Sequence, residues 1–487
     1  MAVSLPKQRS RWSCRVGGTD DANRSGLSWR PASGTLCRVA GDLANSDKRV
    51  DVVIIGAGVA GLAAANSLRA KGATVAVLEA RDRLGGRIHT LHDARCPMPI
   101  ELGAEFVHGS AKETVALAKS AGLRIVDVVG EHWLARNGTL RKAGNYWHDI
   151  DLVLRRIDRN AEDRSFYDFL RERPGGNKLS RQRKLAREFV YGFHAADIRL
   201  VSAHSLAEGG SPGDEPEEQR QGRMLDGYDR LVDALAEPVR DSIALNRTVR
   251  RVEWKRGHVR VQARHGSRSY GVRAKAAIIT VPLGVLKSPG NDHAAITFDP
   301  VLPQLGEALT LLEMGTVLRI AMLFREAFWE QGLPGAPKNA NLIDLSFIHA
   351  NDLRMPVWWS AYPVRAPLLI GWAGGPQTRQ IMSLGHEAVE HIALDVLATQ
   401  LGMGRRKLQQ LRVASFLHDW YADPFSRGAY SYTGVGGVKA PEILAKPVQG
   451  TLYFAGEAVS TKGQNGTVSG AIATGERAAR LVARRLG

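Results

Sequence analysis

A chain of 487 residues is long enough for two or three domains with a real core, and its 44% apolar and 24% charged content is ordinary for a globular protein. The formal net charge of +17 permits weak attraction to nucleic acid or anionic lipid, but there is no zinc-finger spacing, no RNP-like stretch and no long Lys/Arg run. A solvated basic surface is therefore expected, with no nucleic-acid partner. Cys14, Cys37 and Cys96 show no metal spacing, which predicts no metal site, no disulfide framework and a reducing, cytoplasmic setting. No apolar run reaches about 18 residues, so no membrane span or anchor is expected.

Met1–Arg49 is rich in Arg, Ser and Gly, has no periodicity and lacks the apolar core of a secretory signal. Asp20, Asp21 and Asp42 count against an organelle transit peptide but leave organelle targeting open; residues 1–49 are expected to be a disordered basic extension or an over-long assigned start. Asp51–Ile55 then reads as a buried parallel strand. Gly56, Gly58 and Gly61 follow in G-x-G-x-x-G spacing around Ala60. A helical pattern runs to Leu68, and a second apolar strand, Thr74–Leu78, ends at Glu79. The glycines allow a tight turn, backbone approach to a pyrophosphate, and close packing of helix on strand. Glu79 stands where an acid accepts hydrogen bonds from a ribose. This block predicts dinucleotide binding and leaves NAD or FAD open.

The continuation Ala80-Arg81-Asp82-Arg83-Leu84-Gly85-Gly86-Arg87 resembles the second flavin-binding element of the flavoproteins that include amine oxidases, and this resemblance selects FAD. The resemblance to the flavin-containing amine oxidase family (monoamine oxidase, polyamine oxidase and lysine demethylase types) runs from about Asp51 to the C-terminus. It implies an α/β fold: a Rossmann-like FAD-binding domain with a parallel sheet, carrying an inserted α+β substrate-binding domain. The implied FAD-binding segments are 50–110, 225–287 and 418–487; the substrate-binding segments are 111–224 and 288–417. Cofactor contacts are implied for Gly56, Gly58, Ala60, Gly61, Glu79, Ala80, Arg81, Gly86 and Arg87.

"IELGAEFVHG" looks like the strand and turn passing beneath the isoalloxazine, through Gly103, Ala104 and Glu105, with His108 at the mouth of the substrate tunnel. Val249 stands where the family packs an apolar side chain against adenine. The polar loop Glu208–Gly222 is expected to be solvated. The segments Asp419–Tyr432 and Gly450–Val482 resemble the family's closing signature. They imply Trp420 near the cofactor, Gly456 and Glu457 at the ribityl chain, and a helix start at Thr467-Val468 whose N-terminus stabilises negative charge on reduced flavin.

Tyr430 aligns with one aromatic wall over the flavin. Thr467 occupies the second wall's position, which makes the cage one-sided. Ala429 stands where some members carry the Cys that attaches FAD, so the FAD is expected to be non-covalent. Arg319 replaces the Lys that holds a water at flavin N5. Arg cannot act as a base near neutral pH, and it could hold that water, clamp a substrate carboxylate or turn away. The resemblance thus implies an FAD-dependent amine oxidase that takes hydride from the carbon next to a small amine's nitrogen, gives imine and aldehyde, and passes electrons to molecular oxygen as hydrogen peroxide. Polyamine-like substrates are favoured on His108, Thr467 and "AYSY"; an L-amino-acid oxidase, or an amine dehydrogenase using another acceptor, is the alternative.

Overall fold

The computed structural model of the protein describes residues 47–487 apart from 145, 209–219, 339, 353 and 462. Most of the expected basic extension, and most of the expected solvated loop, therefore lie outside the described residues. Lys48–Arg49, assigned to the extension from sequence, instead pairs in parallel with the strand Arg268–Ala274. Asp47 pins this edge by accepting hydrogen bonds from Arg260 (2.9 Å) and Arg273 (2.6 Å).

Strand β1 (Val52–Ile55) leads into helix α1 (Val59–Arg69) and strand β2 (Val75–Leu78). These belong to a five-stranded sheet ordered Ile243–Ala244, β2, β1, Ala276–Ile279 and Leu452–Phe454, in which every pairing is parallel. Val52, Ile54 and Val77 pack into one apolar core, Val53, Ile55 and Leu78 into another. Alternate residues thus serve opposite faces, and both faces are covered, which explains why the strands read as unbroken apolar runs. Further along come β3 (Phe106–His108) and β4 (Gln221–Met224), which pair antiparallel.

Strand β5 (Val317–Phe324) is buried throughout and lies in a seven-stranded sheet with Glu131–Arg136, Thr139–Lys142 and four strands from 345–417. Segments expected in the two inserts therefore share one sheet. Thr297–Asp299 departs from that division, because it pairs in parallel with Thr248–Lys255, which lies in the segment 225–287. Within β5, Leu318, Ile320, Met322 and Phe324 enter one core while Ala321 and Leu323 face a second. The two-residue period puts Arg319 on the face of Ala321 and Leu323. No helix among the described residues is long and apolar enough to cross a membrane.

The C-terminal helix α2 (Val468–Leu486) lies against α1. Gly475 makes this possible, since a Cβ there would overlap the Ala60 carbonyl oxygen, a backbone atom that cannot step aside. Gly475→Val is expected to lower stability by about 1–3 kcal/mol through overpacking. Gly306, exposed within the helix Pro303–Leu311 with nothing near its Cβ position, is the control: Gly306→Ala is expected to raise stability by about 0.5–1 kcal/mol. Urea unfolding of the two variants checks both signs.

Candidate active site

The turn after β1 is built for close backbone approach. Gly56 has φ +106°, a Cβ there would lie 2.8 Å from Thr280 Oγ1, and a Cβ at Gly61 would overlap Gly56 O. Gly58 begins α1 without a side-chain cap, so its first turn, which includes Ala60, presents backbone N–H groups and the positive end of the helix. Glu79 is buried and accepts N–H bonds from Ala57 (2.7 Å) and Arg81 (2.9 Å); burial raises its pKa against those bonds. The second glycine element sits on the first: Gly85 N–H donates to Ala57 O at 3.0 Å, and a Cβ at Gly86 would lie 3.5 Å from Gly58 Cα. Arg247 N–H donates to Glu79 O at 2.7 Å, two residues before buried Val249. Beyond Ala80, the Arg81 guanidinium binds Asp423 at 2.7 Å and Ser426 Oγ at 2.9 Å.

A second junction gathers the remaining motifs. Arg87 Nη1 donates to Ala429 O (2.8 Å) and to Glu457 Oε1 (2.7 Å). Glu457 Oε2 accepts from Ser431 N (3.2 Å), Ser431 Oγ (2.6 Å) and Gly466 N (3.0 Å). Gly456 N–H donates to Thr474 Oγ1 at 2.9 Å, which ties the strand end to α2. Thr467 is the N-cap of α2: its hydroxyl oxygen accepts from Gly470 N (3.0 Å) and donates to Gln464 O (2.7 Å), so Val468 opens the helix. Tyr430 is half-buried, its hydroxyl donates to Phe193 O at 2.5 Å, and burial pushes its pKa up. Trp420 Nε1 donates to Leu102 O at 2.9 Å. A Cβ at Gly103 would overlap Arg87 O and come within 3.1 Å of the Trp420 ring. The turn Gly103-Ala104-Glu105, Arg87, Trp420, Tyr430 and the start of α2 therefore meet in one place.

Glu105 does not present its carboxylate to open space. It is buried in an ion cluster, bound by Arg223 through Oε1 and by Arg319 Nη2 through Oε2 at 2.6 Å, with Trp359 Nε1 at 3.1 Å from both oxygens. Burial alone would raise the Glu105 pKa; the charges of Arg223 and Arg319 outweigh it and leave it lowered. Arg319 also donates from Nε to Glu101 O at 2.8 Å. The Glu101 carboxyl accepts from Thr90 Oγ1 (2.7 Å) and Tyr228 N (2.8 Å), and burial pushes its pKa up to about 7.

His108 keeps an accessible surface, yet desolvation by the protein around it lowers its pKa to about 4. Its ring meets Phe193 edge-on, with centroids 5.6 Å apart. Nearby, His132 Nδ1 and His349 Nε2 are 3.2 Å apart, and Tyr146 stacks on His349 at 4.6 Å. Sequence reading missed Arg223, Trp359, Glu101, Phe193 and this histidine pair. One signal was available for Arg223: a lone charge between the polar loop and the apolar Met224-Leu225.

The family model described as flavin containing amine oxidoreductase matches residues 59–171 and 136–483. Among curated relatives, the probable polyamine oxidase 4 of Arabidopsis thaliana is 28% identical, over 90% of this chain and 88% of that protein. Lysine-specific histone demethylase 2 of Homo sapiens is 27% identical, over 89% of this chain and 53% of that protein. Among solved structures, a putrescine oxidase bound to putrescine superposes with a TM-score of 0.73 at 22% identity, covering 89% of this chain and 99% of that one. The cyclohexylamine oxidase of Brevibacterium oxydans does so with a TM-score of 0.72 at 23% identity, covering 90% and 99%. At those identities the structures establish a shared α/β fold of mixed sheets and helices.

Glu101 yields a pH prediction. Its pKa rises from 4.5 to about 7 on folding, so the stability it contributes is fully present below the lower value and is lost as pH rises through the upper one, by roughly 3 kcal/mol at most. Melting temperatures at acidic and alkaline pH should lie closer together in Glu101→Gln than in the parent protein.

Proposed function

The chain belongs to the flavin containing amine oxidoreductase family, and on that premise we propose that it is an FAD-dependent oxidase of small amines, holding its cofactor non-covalently on a Rossmann-like sheet. The observation that carries this reading is the Glu457 junction, which brings Arg87, the strand Ser431–Thr433 that follows Tyr430, and the start of α2 together beside the turn at Gly103. The chain's residues fit the cofactor. The uncapped first turn of α1 suits a pyrophosphate, reinforced by Arg87. Glu79, oriented by two backbone N–H bonds, suits a ribose. The α2 N-terminus supplies partial positive charge to an electron-rich ring edge. Ala429 offers no thiol for attachment.

When bound, FAD supplies the acceptor for a hydride from the carbon next to the amine nitrogen, leaving an imine that water hydrolyses, and returns the electrons to oxygen as hydrogen peroxide. The protein orients the amine and excludes water. The hydrogen bond from Tyr430 to Phe193 O fixes the ring as one wall for the substrate nitrogen. Thr467 spends its hydroxyl on capping α2, which leaves the opposite side of the cage open to bulkier or secondary amines. His108, held neutral by burial, can accept a hydrogen bond from an ammonium group at the entrance. Polyamine-like substrates are the favoured class; they are supported by His108, Thr467 and the polyamine oxidases among the relatives. The L-amino-acid alternative loses its carboxylate clamp, because the Arg319 guanidinium is engaged by Glu105.

Anaerobic addition of spermine, N-acetylspermine, putrescine, a monoamine and an L-amino acid to the purified protein, followed by air, tests this reading. Loss of visible flavin absorbance with an amine, then fast recovery with peroxide, is expected. Slow recovery in air would make the protein a dehydrogenase, and bleaching by the amino acid alone would overturn the amine assignment. Tyr430→Ala should lower kcat/KM for the best amine on the order of 10–100-fold, whereas Tyr430→Phe, which keeps the ring, should lose far less.

A further inference from the structure

Three charged side chains converge beside the turn at Gly103 from elements far apart in sequence: Glu105 just after the turn, Arg223 on β4 and Arg319 on β5. Each is nearly sealed from solvent, at 5%, 3% and 5% exposure respectively. The carboxylate gives one oxygen to each guanidinium, and each guanidinium is fixed a second time by a backbone carbonyl, Arg319 at Glu101 O (2.8 Å) and Arg223 at Ser360 O (3.1 Å). Both cations also lie over aromatic faces, Arg223 over Phe106 at 5.1 Å and Arg319 over Trp359 at 5.4 Å. Two cations against one anion leave a single excess positive charge among nearly sealed side chains, an arrangement that costs stability.

We propose that Arg223, Glu105 and Arg319 form a fixed electrostatic array whose one excess positive charge raises the affinity of the bound flavin for electrons, with Arg223 as the positioning residue that orients Glu105 and, through it, Arg319. The inference rests on the reading that the turn Gly103–Ala104 carries the flavin ring. Reduction adds electron density to that ring, and a positive charge held at short range in a low-dielectric interior stabilises the electron-rich form more than the oxidised one. Arg319 need not titrate or touch the ring for this; it has only to stay where Glu105 holds it. Glu101, whose backbone carbonyl holds Arg319, does not cancel the charge at mildly acidic pH, because its carboxyl stays largely protonated below about 7.

The test is the reduction potential of the holoprotein at about pH 6, below the Glu101 titration, measured against indicator dyes for four proteins. The parent carries a net +1 in the array, Arg223→Met 0, Glu105→Gln +2 and the double variant +1 again. Arg223→Met is expected to shift the flavin's equilibrium about tenfold toward the oxidised form, about 30 mV for a two-electron couple. Glu105→Gln should shift it about tenfold the other way, and the double variant should return close to the parent. Arg223→Lys, which keeps the charge, should stay near the parent. Single variants that retain FAD and a parent-like melting curve but do not move, or move in the same direction, would overturn the proposal and leave the role of the array structural. Should Arg223→Met not fold, Glu105→Gln and Arg223→Lys still decide by the sign of one and the neutrality of the other. A parent protein whose flavin no amine reduces would sink the amine reading alone, since the potentials remain measurable. A parent that binds no FAD would sink both.

Discussion

The Glu457 carboxylate is buried and meets four donors at once: a guanidinium, a hydroxyl and two backbone amides. A buried carboxylate is tolerable only when such partners replace its water. Those partners come from three places, Arg87 in the second glycine element, Ser431 beside Tyr430, and Gly466 just before α2. One anion thus reaches a partner 370 residues away in the chain, at Arg87, as well as two close to it. It ties the strand Ser431–Thr433 to the segment before α2, and it holds the Arg87 side chain alongside the Ala429 carbonyl.

Four buried acids surround this region, and each is made tolerable differently. Glu79 relies on two amide N–H groups. Glu101 keeps its proton to about pH 7. Glu105 takes two arginines, and Glu457 mixes one arginine with amides and a hydroxyl. The outcome is a gradation of charge, from neutral at Glu101 to a net cationic cluster at Glu105, within a few residues of one turn.

Much of the fold was legible because its signals are local. The apolar runs of β1 and β2, the glycine spacing between them and the acid after β2 specify a strand, a tight turn and a helix start within thirty or so residues. Thr467 and Val468 likewise marked a helix N-terminus that the structure contains. The side-chain partners were not legible, because they depend on which distant strand supplies the neighbour. A sequence places Arg319 on a strand but cannot say that Glu105 will meet it, or that Arg223 will take the other oxygen. The same limit applies to His132 and His349, which become neighbours only because Glu131–Arg136 pairs in parallel with Leu345–Ala350. At Lys48–Arg49 and Thr297–Asp299, edge pairing with distant strands overrode a division drawn from composition and family likeness.

The parallel sheet closes with Leu452–Phe454 paired to Ala276–Ile279, and this order has a consequence for synthesis. On the ribosome, the edge of Ala276–Ile279 emerges about 170 residues before its partner, a delay of roughly 10–35 s at about 5–20 residues per second. During that interval an apolar strand with unpaired N–H and C=O groups stands at an open edge, the form most prone to pairing with another chain. The helix that covers α1 emerges later still. A sheet that formed in the nascent protein would keep that edge open until Leu452–Phe454 emerged.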